Sequence, residues 1–149
     1  MSEASLVDYP AVTFASISQP VHFTELPTVI PALISRVAAA VGPSIVGPPR
    51  VYYTEWETES GVASVGFPVQ TGTIGTDGVE CREFSAGRAV KVTHLGPYSE
   101  MMKGWQHAMG AAEEQGRTKT NFAWEDYVGD PTESKPEELA TDIYVGVQA

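Results

Sequence analysis

The sequence predicts an α+β fold built from two βαββ units, and three observations carry the prediction. The order strand, helix, strand, turn, strand runs over residues 11–69 and again over residues 88–148. Each pass holds one stripe of apolar residues at three- and four-residue spacing, the signature of an amphipathic helix. The other apolar runs are short, rich in β-branched and aromatic residues, and bounded by glycine or proline. Two apolar helix stripes are most simply buried by laying both helices on one face of an antiparallel sheet. The other face is then free. The junction of two halves in a twisted sheet leaves a cleft suited to a ligand. The whole chain, residues 1–149, is expected to form one such domain, with pseudo-repeats at about 11–69 and 88–148.

The elements follow in order. Residues 11–25 alternate loosely through Val12, Phe14, Ile17, Val21 and Phe23 and read as a strand. Pro20 is expected to interrupt it, since proline cannot donate to a ladder. Thr28 is placed to cap a helix whose stripe is Ile30, Leu33, Ile34, Val37 and Val41, stopped by Gly42-Pro43. After the Gly47-Pro48-Pro49 turn, residues 50–57 form a strand through Val51, Tyr52, Tyr53, Thr54 and Trp56. Glu59-Ser60-Gly61 turns the chain into a returning strand, Val62 to Val69. Gly72, Gly75 and Gly78 punctuate a loop, and Val79 to Phe84 reads as a short strand. Ala89 to Leu95 is the next strand, ending in His94-Leu95-Gly96-Pro97-Tyr98. Pro97 suits the first turn of a helix, where its missing N–H is not needed. Tyr98, Met101, Met102, Trp105, Met109 and Ala112 mark one face of that helix, which ends near Gly116. Asn121 to Val128 is a strand, Gly129-Asp130-Pro131 a turn, and Ala140 to Val147 the closing strand.

Composition narrows the function. A 42% hydrophobic content over 149 residues supports a folded core rather than disorder. The net charge of −10 and only nine Lys and Arg argue against direct nucleic-acid binding, because none of those cations lies between Arg50 and Arg82. The acidity serves solubility, and secondarily offers a surface to a basic protein partner. Cys81 is the single cysteine, so neither an intramolecular disulfide nor a cysteine-based zinc cluster is available. His22, His94 and His107 have no metal-ligand spacing, and no dinucleotide or phosphate loop opens a helix. Neither metal nor cofactor is expected. Residues 1–10 carry no basic segment followed by an apolar run, and no stretch is long enough to span a bilayer. The expected location is the cytoplasm, with no membrane partner.

The chemistry concentrates in Trp124-Glu125-Asp126-Tyr127. Side chains alternate along a strand, so Glu125 and Tyr127 share a face. An acid beside an aromatic ring can hold a bulky cation. A solvated strand carboxylate is the ordinary state of a glutamate. An apolar pocket would instead raise its pKa into a range useful for proton transfer. Tyr53 is read into the slot equivalent to Glu125 in the first repeat. Tyr144 should point away from the helical layer, opposite to Ile143 and Val145. Trp105 belongs to the core stripe of its helix, where an apolar residue ordinarily packs, and at the border of a cleft it would also close a pocket. Tyr98 opens that helix and can reach the cleft. His94 has no partner nearby in sequence and reads as structural.

Four segments together resemble the GyrI-like small-molecule-binding domain family, the effector-binding domain of AraC-type and MerR-type regulators. They are Val65-Gly66-Phe67-Pro68-Val69, His94-Leu95-Gly96-Pro97-Tyr98, Glu125 through Pro131, and Thr141-Asp142-Ile143-Tyr144-Val145-Gly146-Val147. The resemblance spans nearly the whole chain and rests on their order and spacing. It implies a bacterial, stand-alone domain with a duplicated βαββ fold and a concave, aromatic-lined pocket for lipophilic, often cationic, compounds. Glu125 matches the family's pocket glutamate. Tyr127, Tyr53, Tyr144, Trp105 and Tyr98 are then expected to contact the ligand, in a multidrug-binding role tied to transcription regulation. The resemblance also implies two alternatives. One is a hydrolase of cyclopropane-bearing toxins with Glu125 and Tyr127 as the catalytic pair. The other is an acidic protein that protects DNA gyrase. At 149 residues no helix-turn-helix segment is expected in the chain, so a regulator reading needs a separate DNA-binding partner. Two positions depart from the family pattern. Asp126 stands where an apolar residue is usual and is expected to face the helices unless the strand bulges or lies at an edge. Gly146 stands where proline is usual, which reads as a mild change.

Overall fold

Ala15 and Ile17 on one strand lie opposite Phe67 and Val65 on another, and a helix covers that apolar face. The arrangement belongs to the first of two contact units, Pro10–Ala86; the second is Met1–Tyr9 with Gly87–Ala149. The computed structural model describes residues 4–55, 57, 59–96, 100–128 and 139–148, with backbone alone at positions 23, 27 and 121.

The N-terminal unit contains β2 (Val12–His22), α1 (Leu26–Val41), β3 (Arg50–Thr54), β4 (Ser60–Val69) and β5 (Glu80–Phe84). Its strands lie in the order β3-β4-β2-β5 and pair antiparallel. Leu33, Val37 and Val41, four residues apart, form the buried stripe of α1. Val37 and Val41 pack with Ala15, Phe67, Val69 and Val79. The helix begins earlier than Thr28. A 3-10 turn over Phe23–Glu25 leads directly into it, and Glu25 occupies the N-cap position without a side-chain cap bond. The Glu25 carboxylate instead accepts the His22 N–H at 2.8 Å. Pro20 does not break β2, which pairs with β4 through Pro20↔Val62. Beyond Ser16, β5 no longer pairs with β2, so the proline sits in a one-sided stretch where a missing donor is tolerated.

The C-terminal unit contains β1 (Ser5–Tyr9), β6 (Gly87–Leu95), α2 (Met101–Glu114), β7 (Lys119–Tyr127) and β8 (Ala140–Val147). Its strands lie in the order β1-β6-β8-β7, again antiparallel. In both units the first strand of the repeat pairs with the third, the third with the second, and the helix crosses one face. The fold is therefore α+β and duplicated. Each unit also gains a fourth strand beside its first: β5 in one, β1 in the other. No element was expected before residue 11, yet Ser5–Tyr9 pairs with β6 from Ser5↔Lys91 to Tyr9↔Gly87. Five residues without clean alternation give too little periodicity to be read alone.

The buried face of α2 differs from the expected stripe. Gly104, Ala108 and Ala112 point into the core, while Met101, Trp105 and Met109 pack at its margin and Met102 is exposed. Small residues at four-residue spacing bring the helix close to β6 and β8. A Cβ at Gly104 would stand 2.6 Å from Ile143 Cδ1. The helix ends as expected at Gly116 (φ +67). Gly116 N–H donates to Glu113 O at 3.0 Å and Arg117 N–H to Ala112 O at 3.1 Å, a Schellman closure.

Candidate functional site

Pairing register decides which side chains of β7 share a face. Residues directly opposite each other on neighbouring strands point the same way. Val90, Val92, Ile143, Val145 and Val147 form the core that α2 covers. Ala123 lies opposite Val145, Glu125 opposite Ile143, and Tyr127 opposite Thr141. Glu125 and Tyr127 therefore lie on the α2 side of the sheet. The helix itself lies over β6 and β8. Glu125 is nonetheless only 3% exposed, while Tyr127 is half-buried.

The expectation for Asp126 is reversed. It pairs with Asp142 and lies on the face away from α2, buried like Glu125 beside it in sequence. Tyr144 also lies on that face, as expected, opposite Trp124. Glu125 and Tyr144 were both expected to contact the ligand, and the register puts them on opposite faces of one sheet. The face away from α2 is an aromatic layer. Trp124 and Tyr144 stack at 4.6 Å with planes 12° apart, and Tyr9 meets Trp124 edge-on at 4.9 Å. Asp142 is held there by Thr93 Oγ1, which donates at 2.6 Å, and by Lys91 Nζ at 3.6 Å. Lys91 lies 5.7 Å from the Tyr144 ring centroid. Burial pulls its ammonium pKa down, but Tyr144 and Asp142 outweigh that, and the net shift is upward.

In the N-terminal unit, Tyr53 pairs with Ala63 and Val51 with Val65, so both lie on the α1 side of β3. Aligning the closing strands at Phe67 and Val145 makes Val65 equivalent to Ile143 and Ala63 to Thr141. Tyr53 is then the counterpart of Tyr127, and Val51 that of Glu125, a shift of two residues from the sequence reading. The pairing register, which the sequence of one strand does not show, sets this correspondence. Tyr52, on the other face, stacks on Phe84 at 4.6 Å and meets Phe14 edge-on at 4.8 Å. Trp105 is half-buried against the core of its own unit. Tyr98 lies outside the described residues, as do Pro97 and the 129–138 segment.

His94 is 2% exposed and pairs with Thr141, which pairs in turn with Tyr127. The row His94, Thr141, Tyr127 thus crosses three strands on the α2 side, one step along from Glu125. Sequence reading missed this row because its members come from three separate strands. The visible signal was the alternation Val90, Val92, His94, which sets His94 on the core face.

A concavity of about 430 Å³ lies elsewhere, in the N-terminal unit, lined by His22, Glu25, Glu55, Glu57, Ser60 and Val62 among others. None of the residues expected at the site lines it. It is a shallow, acidic-rimmed groove, and buried apolar surface of the kind that holds lipophilic ligands is scarce in it. The register and burial of the β7 residues are therefore the better guide. Among the described residues no group of three or more His, Cys, Asp or Glu is placed to hold a metal ion, and no helix is long and apolar enough to cross a membrane.

Solved structures with the same fold are numerous. The C-terminal domain of EcmrR superposes with a TM-score of 0.82 at 21% identity, covering 98% of this chain and 97% of that one. EcmrR in its DNA complex matches with a TM-score of 0.78 at 20% identity, and this chain spans 57% of that one. SAV2435, solved bound to tetraphenylphosphonium, matches with a TM-score of 0.76 at 8% identity over 99% of this chain and 95% of that one. A hydrolase encoded by lin2189 from Listeria innocua matches with a TM-score of 0.66 at 13% identity over 98% and 92% of the two chains. At such identities the likeness is one of fold. No curated protein sequence matches the chain. The family model for the GyrI-like small molecule binding domain matches residues 2–148, and the chain belongs to that family.

Proposed function

We propose that this small-molecule-binding domain captures bulky lipophilic cations, with Glu125 as the counter-charge. The observation that carries the reading is the burial of Glu125, 3% exposed on the α2-side face of β7. A desolvated cation brought beside a buried carboxylate is attracted more strongly than it would be in water. Tyr127, two residues along on the same face, offers a ring to the same cation. The chain's charge of −10 draws cations toward the surface. SAV2435, which shares the fold, was solved with a lipophilic cation bound. A cytoplasmic location and a role as the effector-sensing part of a regulator, acting with a separate DNA-binding partner, belong to the same proposal.

Titration of rhodamine 6G and tetraphenylphosphonium into the wild type and Glu125→Gln tests it. The variant keeps the shape and loses the charge. Loss of a charge pair worth about 1.4 kcal/mol weakens binding about tenfold. Equal affinity in both proteins removes Glu125 from the mechanism.

A second reading is favoured by the shared face of Glu125 and Tyr127. In a hydrolase of strained cyclopropanes, Glu125 takes a proton from water as the oxygen bonds to a ring carbon. The broken ring bond's electron pair leaves with the other fragment, which the Tyr127 hydroxyl protonates. The Glu125 proton then returns to the tyrosinate. The product carries the mass of one added water. A cyclopropane-bearing alkylating compound whose conversion by the wild type does not exceed the buffer rate, or equals that by Tyr127→Phe, removes the catalytic pair for that substrate.

A further inference from the structure

The C-terminal unit carries a buried hydroxyl that its fold does not use. Thr141 is fully buried on β8, and among the described residues its Oγ1 has no hydrogen-bond partner. Register places it on the α2 side between His94 and Tyr127. Its neighbours along β8 on that face are Ile143 and Val145, both core residues. Valine would fill the same volume, suit the strand equally well, and avoid burying an unmet polar group. A threonine there costs stability without return inside the fold.

The register and the packing show what surrounds the hydroxyl. His94 is closely backed by α2, since a Cβ at Gly104 would stand 3.1 Å from His94 Cβ. The inner side of the row is therefore closed. Tyr127, on β7, is half-buried, and Glu125 lies diagonally across from Thr141 on the same face. Residues related as Thr141 and Glu125 are, diagonally across adjacent strands, stand about 7 Å apart.

We infer that Thr141 is a specificity-determining contact, donating to or accepting from an oxygen or nitrogen of a ligand whose cationic centre lies beside Glu125. The inference rests on the reading of Glu125 given above. It narrows the ligand class from lipophilic cations in general to those that also carry a hydrogen-bonding group.

The test compares wild type, Thr141→Val and Thr141→Ser in thermal unfolding and in binding of two probes. Tetraphenylphosphonium carries no hydrogen-bonding group; rhodamine 6G carries an ester and two amines. Thr141→Val should raise Tm by about 3 °C, because it removes an unmet buried group. It should weaken rhodamine 6G about tenfold, the size of one well-made hydrogen bond, and leave tetraphenylphosphonium within about twofold. Thr141→Ser should restore rhodamine 6G to within about threefold of wild type. A fall in Tm for Thr141→Val overturns the inference by showing a structural use for the hydroxyl. So do equal losses for both probes, no loss for either, a serine variant as weak as valine, or a wild type that binds tetraphenylphosphonium and not rhodamine 6G. A wild type that binds neither probe removes the cation reading itself, and this inference with it.

Discussion

The close approach of α2 to its sheet can be tested as a coupling between two residues. A Cβ placed on Gly104 stands 2.6 Å from Ile143 Cδ1 and 3.1 Å from His94 Cβ. Carbon atoms in good contact sit about 3.5–4.0 Å apart, so Gly104→Ala forces Ile143 to give by roughly 1 Å. Overpacking of that kind costs about 2 kcal/mol, and alanine's better helix propensity returns about 1. The single variant should therefore lose about 1 kcal/mol. Ile143→Val removes the clashing Cδ1 and by itself costs about 1 kcal/mol for the lost methylene. In the double variant the alanine Cβ occupies the space Cδ1 has left, so its propensity gain is no longer opposed by the larger part of the strain. The pair should then sit within about 0.5 kcal/mol of wild type, against about 2 for simple additivity, a coupling of about 1.5 kcal/mol. Urea unfolding followed by tryptophan fluorescence measures all four proteins. Additivity within about 0.4 kcal/mol refutes the contact, and so does a Gly104→Ala variant more stable than wild type.

Gly66→Ala should be far worse than Gly104→Ala, losing about 3 kcal/mol or more, because its Cβ would fall on the Ala15 carbonyl oxygen of the neighbouring strand and backbone cannot step aside; a loss near 1 kcal/mol in the same urea assay contradicts that packing. Alkaline pH should destabilise the protein. Burial raises the Tyr9 phenol above 10.0, and Lys91 is raised above 10.5 despite its burial, so each group contributes stability that is present below those values and lost as pH rises through the folded-state pKa. Tm should fall above about pH 10, less steeply in Lys91→Met, and an identical slope in the two proteins counts against the Lys91–Asp142–Tyr144 cluster.

Much of the fold was legible because its signals are local. The α1 stripe, the Gly116 stop of α2 and the alternating closing strand all follow from spacing within one segment. What escaped depends on partners distant in sequence. Strand β1 is five residues long and acquires its meaning only beside β6. The core face of α2 runs through Gly104, Ala108 and Ala112 because a close helix–sheet approach favours small residues, whereas a reading by hydrophobicity picks out the methionines. Glu125 and Tyr127 were correctly read as sharing a face, since alternation is local. Which face they share is a matter of register, and register put Asp126 on the side opposite to expectation.

Gly146 connects these points. Between Lys119↔Val147 and Ala123↔Val145, β7 spends four residues where β8 spends two. An extra pair preserves the facing of everything that follows, whereas one extra residue would exchange the two faces. The excess chain is crowded against β8 at Gly146, where a Cβ would strike Thr120 Oγ1 and come within 2.6 Å of the Phe122 carbonyl oxygen. Glycine at 146, where the resemblance implies proline, is thus suited to the local packing. A proline ring at 146 has no room beside this irregularity, and glycine permits it. The length of the irregularity, two residues and not one, keeps Glu125 and Tyr127 in the same plane as Thr141 and His94. It also leaves Asp126 beside Asp142, on the face where Thr93 and Lys91 hold that carboxylate. Asp126 and Gly146, the two positions that differ from what the resemblance implies, therefore lie on the one strand pair whose register decides where the buried glutamate points.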